Sequence, residues 1–209
     1  MSYGFMDIAR TPSVIAAQEA NGAAELWSDF HGHREFDRFG PAEAAFIEAR
    51  DSFFIATVAE NGWPYVQHRG GAPGFLRVLD EKTLGFLDYR GNRQYLSLGN
   101  LAANDRAALI LIDYPARRRM KMFARVEVKN LDDDSDLIEK LSTPGYKAKA
   151  ERVFLLHLEA FDWNCAQHIT PRFSEEELAP ALTQVRERIE ELEAENRRLR
   201  ERLAAQAKA

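Results

Sequence analysis

The pattern of apolar and polar residues divides the chain into three regions. Helical spacing prevails in residues 1–40, strand patterns prevail in residues 41–173, and a heptad repeat runs through residues 174–209. We therefore expect an N-terminal helical segment, a strand-rich domain and a C-terminal helix.

Three helices are predicted before the first strand. The pair Thr11-Pro12 is typical of an N-cap and the first residue of a helix, which we expect to end near Asn21. Residues 23–39 predict a second, broken helix, and Gly40-Pro41 opens a third that ends about Asp51.

The central region consists of short β-branched and aromatic runs separated by turn residues, which is typical of antiparallel strands. Asn61-Gly62 predicts a hairpin turn, because asparagine and glycine both tolerate positive φ. Two helices are expected among the strands, at Arg93–Ala103 and Asp132–Leu141. The predicted strands are Phe53–Ala59, Trp63–Arg69, Phe75–Leu79, Leu84–Asp88, Ala107–Tyr114, Met120–Lys129 and Val153–Trp163. Joined by hairpins, they predict an antiparallel barrel of the α+β class.

The C-terminal region has a regular apolar seam. Ser174 to Glu177 has the pattern of a capping box, and Pro180 predicts that the helix restarts there. One heptad position holds Leu182, Ile189, Asn196 and Leu203, and the position three residues later holds Val185, Leu192 and Leu199. These are the a and d positions of a coiled coil, and a lone asparagine at a favours a parallel pair.

Charges beside this seam agree with a parallel homodimer. Arg188 would face the partner's Glu193, and Glu195 would face the partner's Arg200. The alternative is one amphipathic helix that lies on its own domain.

Composition limits the partners and the compartment. The net charge is −5, so nucleic acid is not an expected partner. Cys165 is the only cysteine, which fits a reducing cytoplasm. Neither a signal peptide pattern nor an apolar run long enough for a membrane span is seen, and we expect a cytoplasmic protein.

Two turns between Trp63 and Arg93 carry arginine among small and polar residues. The first strand of this stretch ends in His68-Arg69-Gly70-Gly71, and the second ends in Asp88–Arg93. Such turns offer bare backbone N–H groups and guanidinium forks, both of which bind phosphate. The pattern predicts a phosphate clamp, and our hypothesis is that the phosphate belongs to a flavin nucleotide; the alternative is that Arg69 and Arg93 are solvated surface charges.

Three segments carry a resemblance to a known family. They are TLGFLDYRGNRQ at Thr83–Gln94, NLAANDRAALILIDY at Asn100–Tyr114, and RRRMKMFARVEV at Arg117–Val128. Together with the strand order over residues 41–130, they resemble the FMN-binding split-barrel proteins related to pyridoxamine 5′-phosphate oxidase. The family's Gly-Ser-Arg-Lys is matched by Gly91-Asn92-Arg93-Gln94.

The resemblance implies an antiparallel split-barrel homodimer with FMN at the subunit interface. It places Arg93 and Gln94 at the FMN phosphate, and Arg119 near a family glutamine that reaches the flavin from the other subunit. A cation near the flavin N1 edge would be Arg119, Lys121 or His68. The expected cofactor-binding residues are His68, Arg69, Gly70, Gly71, Asp88, Tyr89, Asn92, Arg93, Gln94, Arg119, Lys121 and Trp163.

The chain also departs from the family pattern. Gln94 replaces a lysine, and residues 70–74 replace a compact strand with a second lysine. The Arg-x-His sequence that binds pyridoxal phosphate in the true oxidases is absent, so oxidation of pyridoxamine phosphate is not expected.

Other reactive side chains have ordinary explanations. Cys165 and His168 have the residue types of a thiolate and its base, but no orienting acid is evident, and a lone cysteine is usually a packed apolar residue. His31 and His33 lack further ligands at metal spacing, so no metal site is predicted.

Two functions are compatible with this sequence. The first is an FMN-dependent oxidoreductase that acts on a small molecule and receives electrons from NAD(P)H or a reductase partner. The second is a carrier or sensor of a flavin or haem-type ligand, which turns nothing over. Reduction of the flavin by NAD(P)H distinguishes the two.

Overall fold

The computed structural model describes residues 4–27, 34–164 and 167–206. Within these ranges, seven strands form one antiparallel sheet in the order β2-β1-β5-β6-β7-β4-β3. The strands are β1 Ser52–Val58, β2 Pro64–Gly70, β3 Arg77–Val78, β4 Thr83–Tyr89, β5 Arg106–Asp113, β6 Arg118–Lys129 and β7 Ala150–Asn164. The described part of this sheet is not closed, since β2 and β3 form its two edges.

The described residues also form seven α-helices and two short 3₁₀ turns. The helices are α1 Phe5–Ala9, α2 Pro12–Ala20, α3 Ala24–Trp27, α4 Pro41–Glu48, α5 Leu96–Ala103, α6 Ser135–Leu141 and α7 Glu175–Gln206. The 3₁₀ turns are Arg34–Asp37 and Leu131–Asp133. The antiparallel α+β prediction is thus confirmed.

The sheet curls so that strands distant in its order share one core. Phe53 on β1 meets the Phe86 ring of β4 edge-on, with ring centroids 5.3 Å apart. Phe86 in turn stacks on Phe154 of β7 at 5.2 Å. This aromatic contact across the sheet brings the ends of β2, β4 and β7 to one region, where the polar cavity described below lies.

The second face of β4 and β7 is covered by α6. Leu141 at the end of α6 is fully buried beside Leu87, Val153 and Leu155. Asp134 caps this helix by accepting a hydrogen bond from the Leu137 N–H at 2.9 Å.

The hairpin predicted at Asn61-Gly62 is confirmed, since β1 and β2 pair across this turn, where Gly62 has a positive φ of 86°. Two predicted boundaries are wrong for local reasons. The third strand shrinks to Arg77–Val78, because Phe75 and Leu76 turn into the core instead of pairing. Helix α5 starts at Leu96 rather than Arg93, because Arg93 and Tyr95 both have positive φ.

The N-terminal predictions are confirmed only in part. The helix capped by Thr11 is confirmed as α2, and α1 before it was not predicted. Of the broken helix predicted at 23–39, α3 and the first 3₁₀ turn are seen, and residues 28–33, which include His31 and His33, lie outside the described residues.

Residues Tyr114–Ala116 and Thr170–Ala209 form a second compact unit, separate from the unit that holds the sheet. The predicted capping box is confirmed: the Ser174 N–H donates to Glu177 Oε2 at 2.8 Å, and the Glu177 N–H donates to Ser174 Oγ at 3.2 Å. Helix α7 continues through Pro180, so the predicted restart is wrong; a proline this near the start removes only one backbone hydrogen bond.

No helix in the described ranges has the length and apolar character needed to cross a membrane.

Candidate functional site

A polar cavity of about 300 Å³ lies where β2, β4 and β7 end beside the loop that precedes α5. Its charged lining consists of three arginines and two carboxylates, which leaves one net positive charge. These side chains are Arg69, Asp88, Arg93, Glu151 and Arg152.

A buried carboxylate holds two of the arginines together. Asp88 accepts a hydrogen bond from Arg69 Nη1 through one oxygen, and through the other from Arg152 Nη1 at 2.5 Å. The Asp88 side chain is 6% exposed, and each arginine side chain is 15% exposed. Asp88 holds both guanidinium groups, and both are mostly shielded from water. A bound anion would therefore meet arginine side chains whose positions are already fixed.

One donor of this cluster has no partner. The Nε of Arg69 is buried and makes no hydrogen bond within the described residues. A buried, unsatisfied donor costs free energy, and it is satisfied when an acceptor or a water enters. The orphaned donor therefore fits a site that binds an oxygen-rich anion.

Glu151 forms the outer edge of the cavity. Its carboxylate accepts from Arg90 Nε at 2.7 Å and from the Tyr95 hydroxyl at 3.3 Å. The Arg152 guanidinium lies over the Tyr95 ring, 5.0 Å from its centroid. The hydrogen bond from Arg90 is the main cause that lowers the pKa of Glu151 below its ordinary value.

This lowered pKa predicts an acid-dependent contribution to stability. Deprotonated Glu151 stabilises the fold at pH values above the ordinary carboxyl pKa of 4.5, and this contribution is lost as the pH falls through the lowered pKa. In urea denaturation, Glu151→Gln should be less stable than the wild type at pH 7, and the difference should shrink in acid below pH 4.5. A difference that does not change with pH would contradict this.

The loop after β4 is held by an asparagine. Asn92 accepts from the Gln94 backbone N–H through its side-chain oxygen and donates to the Gln94 side chain, both at 3.1 Å. Arg93 and Tyr95 adopt φ values of 65° and 54°, which are unusual for residues with a Cβ. Such a conformation in a cavity wall is the kind of local strain that functional sites retain.

Two partly buried side-chain hydrogen bonds attach helix α5 to β1 and β2. Ser97, which is 1% exposed, donates to Gln67 Oε1 at 2.8 Å. Asn100 donates to Thr57 Oγ1 at 3.0 Å. These contacts fix the loop before α5 relative to β1 and β2.

Seven of the predicted cofactor residues meet at this cavity: His68, Arg69, Gly70, Asp88, Tyr89, Asn92 and Arg93. His68 lies on the face of β2 opposite to Arg69, and its ring packs edge-on against Phe54 at 5.4 Å. Burial raises the pKa of Tyr89 above its ordinary value, with Tyr146 adding to the effect.

Two predicted residues lie beside the cavity without lining it. A Cβ on Gly71 would be 2.6 Å from the Phe75 ring, so packing alone requires glycine there. The side-chain oxygen of Gln94 accepts a hydrogen bond from the Asn92 amide.

Arg119, Lys121 and Trp163 are not brought to the cavity of this chain. Lys121 pairs with Asp162 at 3.2 Å, and Trp163 donates to Glu43 at 3.3 Å. Arg119 has a buried Nε that makes no hydrogen bond within the described part of the chain.

Sequence reasoning missed the β7 side of the cavity. Glu151 and Arg152 precede the apolar run of β7, and Arg152 pairs in register with Asp88. A charged pair at the start of a buried strand was the available signal.

Cys165 lies outside the described residues, and none of the described His, Asp and Glu side chains form a group of three that could hold a metal.

Comparisons with known proteins identify the class. Residues 39–161, more than half of the chain, match the pyridoxamine 5′-phosphate oxidase family, so the chain belongs to that family. The resemblance seen in the sequence is thereby confirmed.

The comparison with solved structures gives matches at low identity. An FMN-binding protein from Syntrophomonas wolfei is 12% identical with a TM-score of 0.47, over 70% of this chain and 97% of that one. A Clostridium acetobutylicum protein related to general stress protein 26, of the pyridoxinephosphate oxidase family, is 16% identical with a TM-score of 0.42, over 64% and 92%. An F420 reductase is 20% identical with a TM-score of 0.42, over 56% and 94%. No curated protein matches the sequence.

Proposed function

We propose that this protein binds FMN through the cavity at the ends of β2, β4 and β7 and acts as an FMN-dependent oxidoreductase on a small molecule. The observation that carries the proposal is the buried Arg69–Asp88–Arg152 cluster, in which the Arg69 Nε has no hydrogen-bond partner among the described residues. Membership of the family supports the same cofactor.

The cavity residues fit the phosphate end of FMN. Arg69, Arg93 and Arg152 line it, and three guanidinium groups compensate for the lysines that the family pattern has and this chain lacks. Bound FMN would supply the hydride or electron chemistry, while Asp88 holds Arg69 and Arg152 in place. Because the Arg-x-His sequence is absent, we propose a substrate other than pyridoxamine phosphate.

The proposal includes a homodimer. Arg119, Lys121 and Trp163 do not line the cavity of their own chain, so they would reach the flavin from the second subunit. The buried Nε of Arg119 has no partner among the described residues, which is compatible with an acceptor supplied by the second subunit.

A substitution at Arg93 should lower the affinity for FMN without lowering the stability of the fold. Arg93→Gly relaxes a backbone at φ 65°, so the stability should stay equal or rise slightly, while the FMN affinity should fall about tenfold through loss of a charged contact. Urea denaturation and flavin fluorescence titration measure the two quantities.

The matched control is Arg117→Gly. Arg117 is also exposed, has φ 52° and lies outside the cavity lining. It should show the same stability response with unchanged FMN affinity. Equal affinity losses in both variants would contradict a contact between Arg93 and the cofactor.

Turnover is tested separately from binding. The FMN-loaded protein is mixed with NADPH or NADH under anaerobic conditions, and the flavin absorbance is followed. Bleaching much faster than that of free FMN supports the oxidoreductase. A protein that binds FMN and resists NADH, NADPH and a flavodoxin-type reductase would instead be a carrier or sensor.

A further inference from the structure

Helix α7 carries an apolar stripe that the other residues of its own unit leave exposed. Seven aliphatic side chains on one seam are 40–65% exposed. They are Leu178, Leu182, Val185, Ile189, Leu192, Leu199 and Leu203. Leu178 extends the heptad register one step toward the helix start, and Pro180 then falls at the outward-facing f position. The seam runs about 39 Å at 1.5 Å per residue.

The rest of α7 is strongly charged. Within the single chain, Arg188 reaches Glu191 at 2.8 Å and Arg197 reaches Glu193 at 3.9 Å, both exposed pairs. Exposed pairs of this kind contribute little to stability. The helix therefore needs its apolar seam buried to be stable along its length.

The flanking charges favour a second copy of the same helix. In a parallel pair, Arg188 meets the partner's Glu193 and Glu195 meets the partner's Arg200. In an antiparallel pair that overlaps the whole seam, Arg188 would lie nearest to the partner's Glu195, and Arg186 nearest to the partner's Glu193. Both arrangements bring opposite charges together. The charges therefore favour pairing with a second copy but do not distinguish the parallel from the antiparallel arrangement.

Asn196 decides the direction. In the parallel pair, the two Asn196 side chains occupy the same layer and hydrogen-bond to each other. In the fully overlapping antiparallel pair, each Asn196 would face the partner's Val185, and two buried amides would lack partners. The parallel arrangement is the one that satisfies every seam residue.

We propose that α7 pairs with α7 of a second copy as a parallel two-stranded coiled coil over Leu178–Leu203, with Asn196 matched to itself. This pairing does not depend on the flavin, and it would bring the C-terminal ends of two subunits side by side in a fixed register.

Disulfide trapping in the full-length protein tests the register. Cys165→Ser removes the native thiol, and Leu199→Cys is then introduced at a d position. In the parallel coil, the two introduced thiols face each other. In the antiparallel coil, each faces the partner's Leu182, and the thiols are about 25 Å apart. Mild oxidation followed by a non-reducing gel should give a covalent dimer.

The matched control is Glu201→Cys, two residues further on at the outward f position. We expect Leu199→Cys to cross-link at least tenfold faster than Glu201→Cys. Leu192→Cys, near the middle of the seam, is a second d-position variant that should also cross-link quickly.

Three results would overturn the proposal. Equal rates at Leu199→Cys and Glu201→Cys would mean random collision. Cross-linking at Leu192→Cys without cross-linking at Leu199→Cys would mean an antiparallel pair, and a mixture of Leu199→Cys with Leu182→Cys would then link preferentially. Absence of cross-linking in all variants, with α-helical circular dichroism retained, would mean that the helix does not pair with a second copy.

Discussion

Arg69→Ala is expected to lower the affinity for FMN by about 10- to 150-fold, because a hydrogen bond to a charged group contributes about 1.5–3 kcal/mol. Arg69 lines the cavity, and its Nε has no partner within the described residues. The substitution also leaves Asp88 with Arg152 as its counter-charge, so the fold should persist. Quenching of FMN fluorescence during titration with protein gives both affinities.

Two further variants specify the role of Arg69. Arg69→Lys keeps the charge but loses the guanidinium fork, so its affinity should lie between those of the wild type and Arg69→Ala. Arg77→Ala removes a guanidinium whose Nε is also buried and unpaired within the described residues, but which does not line the cavity. An affinity loss at Arg77→Ala equal to that at Arg69→Ala would contradict a specific phosphate contact.

Asp88→Asn is expected to have the largest effect on stability. It removes the charge that compensates two mostly buried arginines, and breaking a buried ion pair from one side costs about 3–5 kcal/mol. The free energy of unfolding in urea should fall by that amount. Asp105→Asn is the control, because its pair with Arg125 is about half exposed and should contribute less than about 1 kcal/mol.

Asp88→Asn should also increase the degree to which FMN stabilises the protein. Without Asp88, a bound phosphate becomes the main counter-charge of Arg69 and Arg152, so FMN should raise the melting temperature of Asp88→Asn more than that of the wild type. If Asp88→Asn is as stable as the wild type, or if FMN stabilises the two proteins equally, Asp88 does not hold the cluster together as described.

The local parts of this site are predictable from the sequence. Arg69 and Asp88 each end a strand of β-branched and aromatic residues, and the resemblance in residues 83–94 points to the turn with Arg93.

The long-range parts are not predictable in this way. Arg152 meets Asp88 across 64 residues of sequence, because β7 pairs with β4. Nothing in the residues near Arg152 specifies that pairing. The positive φ at Arg93 and Tyr95 escapes local rules for a similar reason: neither residue is glycine, and contacts such as the one from Tyr95 to Glu151 hold the loop from outside.

The most direct measurement is a pair of calorimetric titrations of the purified protein, one with FMN and one with riboflavin, which lacks only the phosphate. The arginine cluster predicts that FMN binds and that riboflavin binds about 100-fold more weakly, since charged contacts of about 1.5–3 kcal/mol each are lost. Equal affinity for the two ligands, or no heat of binding with either, would contradict a phosphate site at Arg69, Arg93 and Arg152.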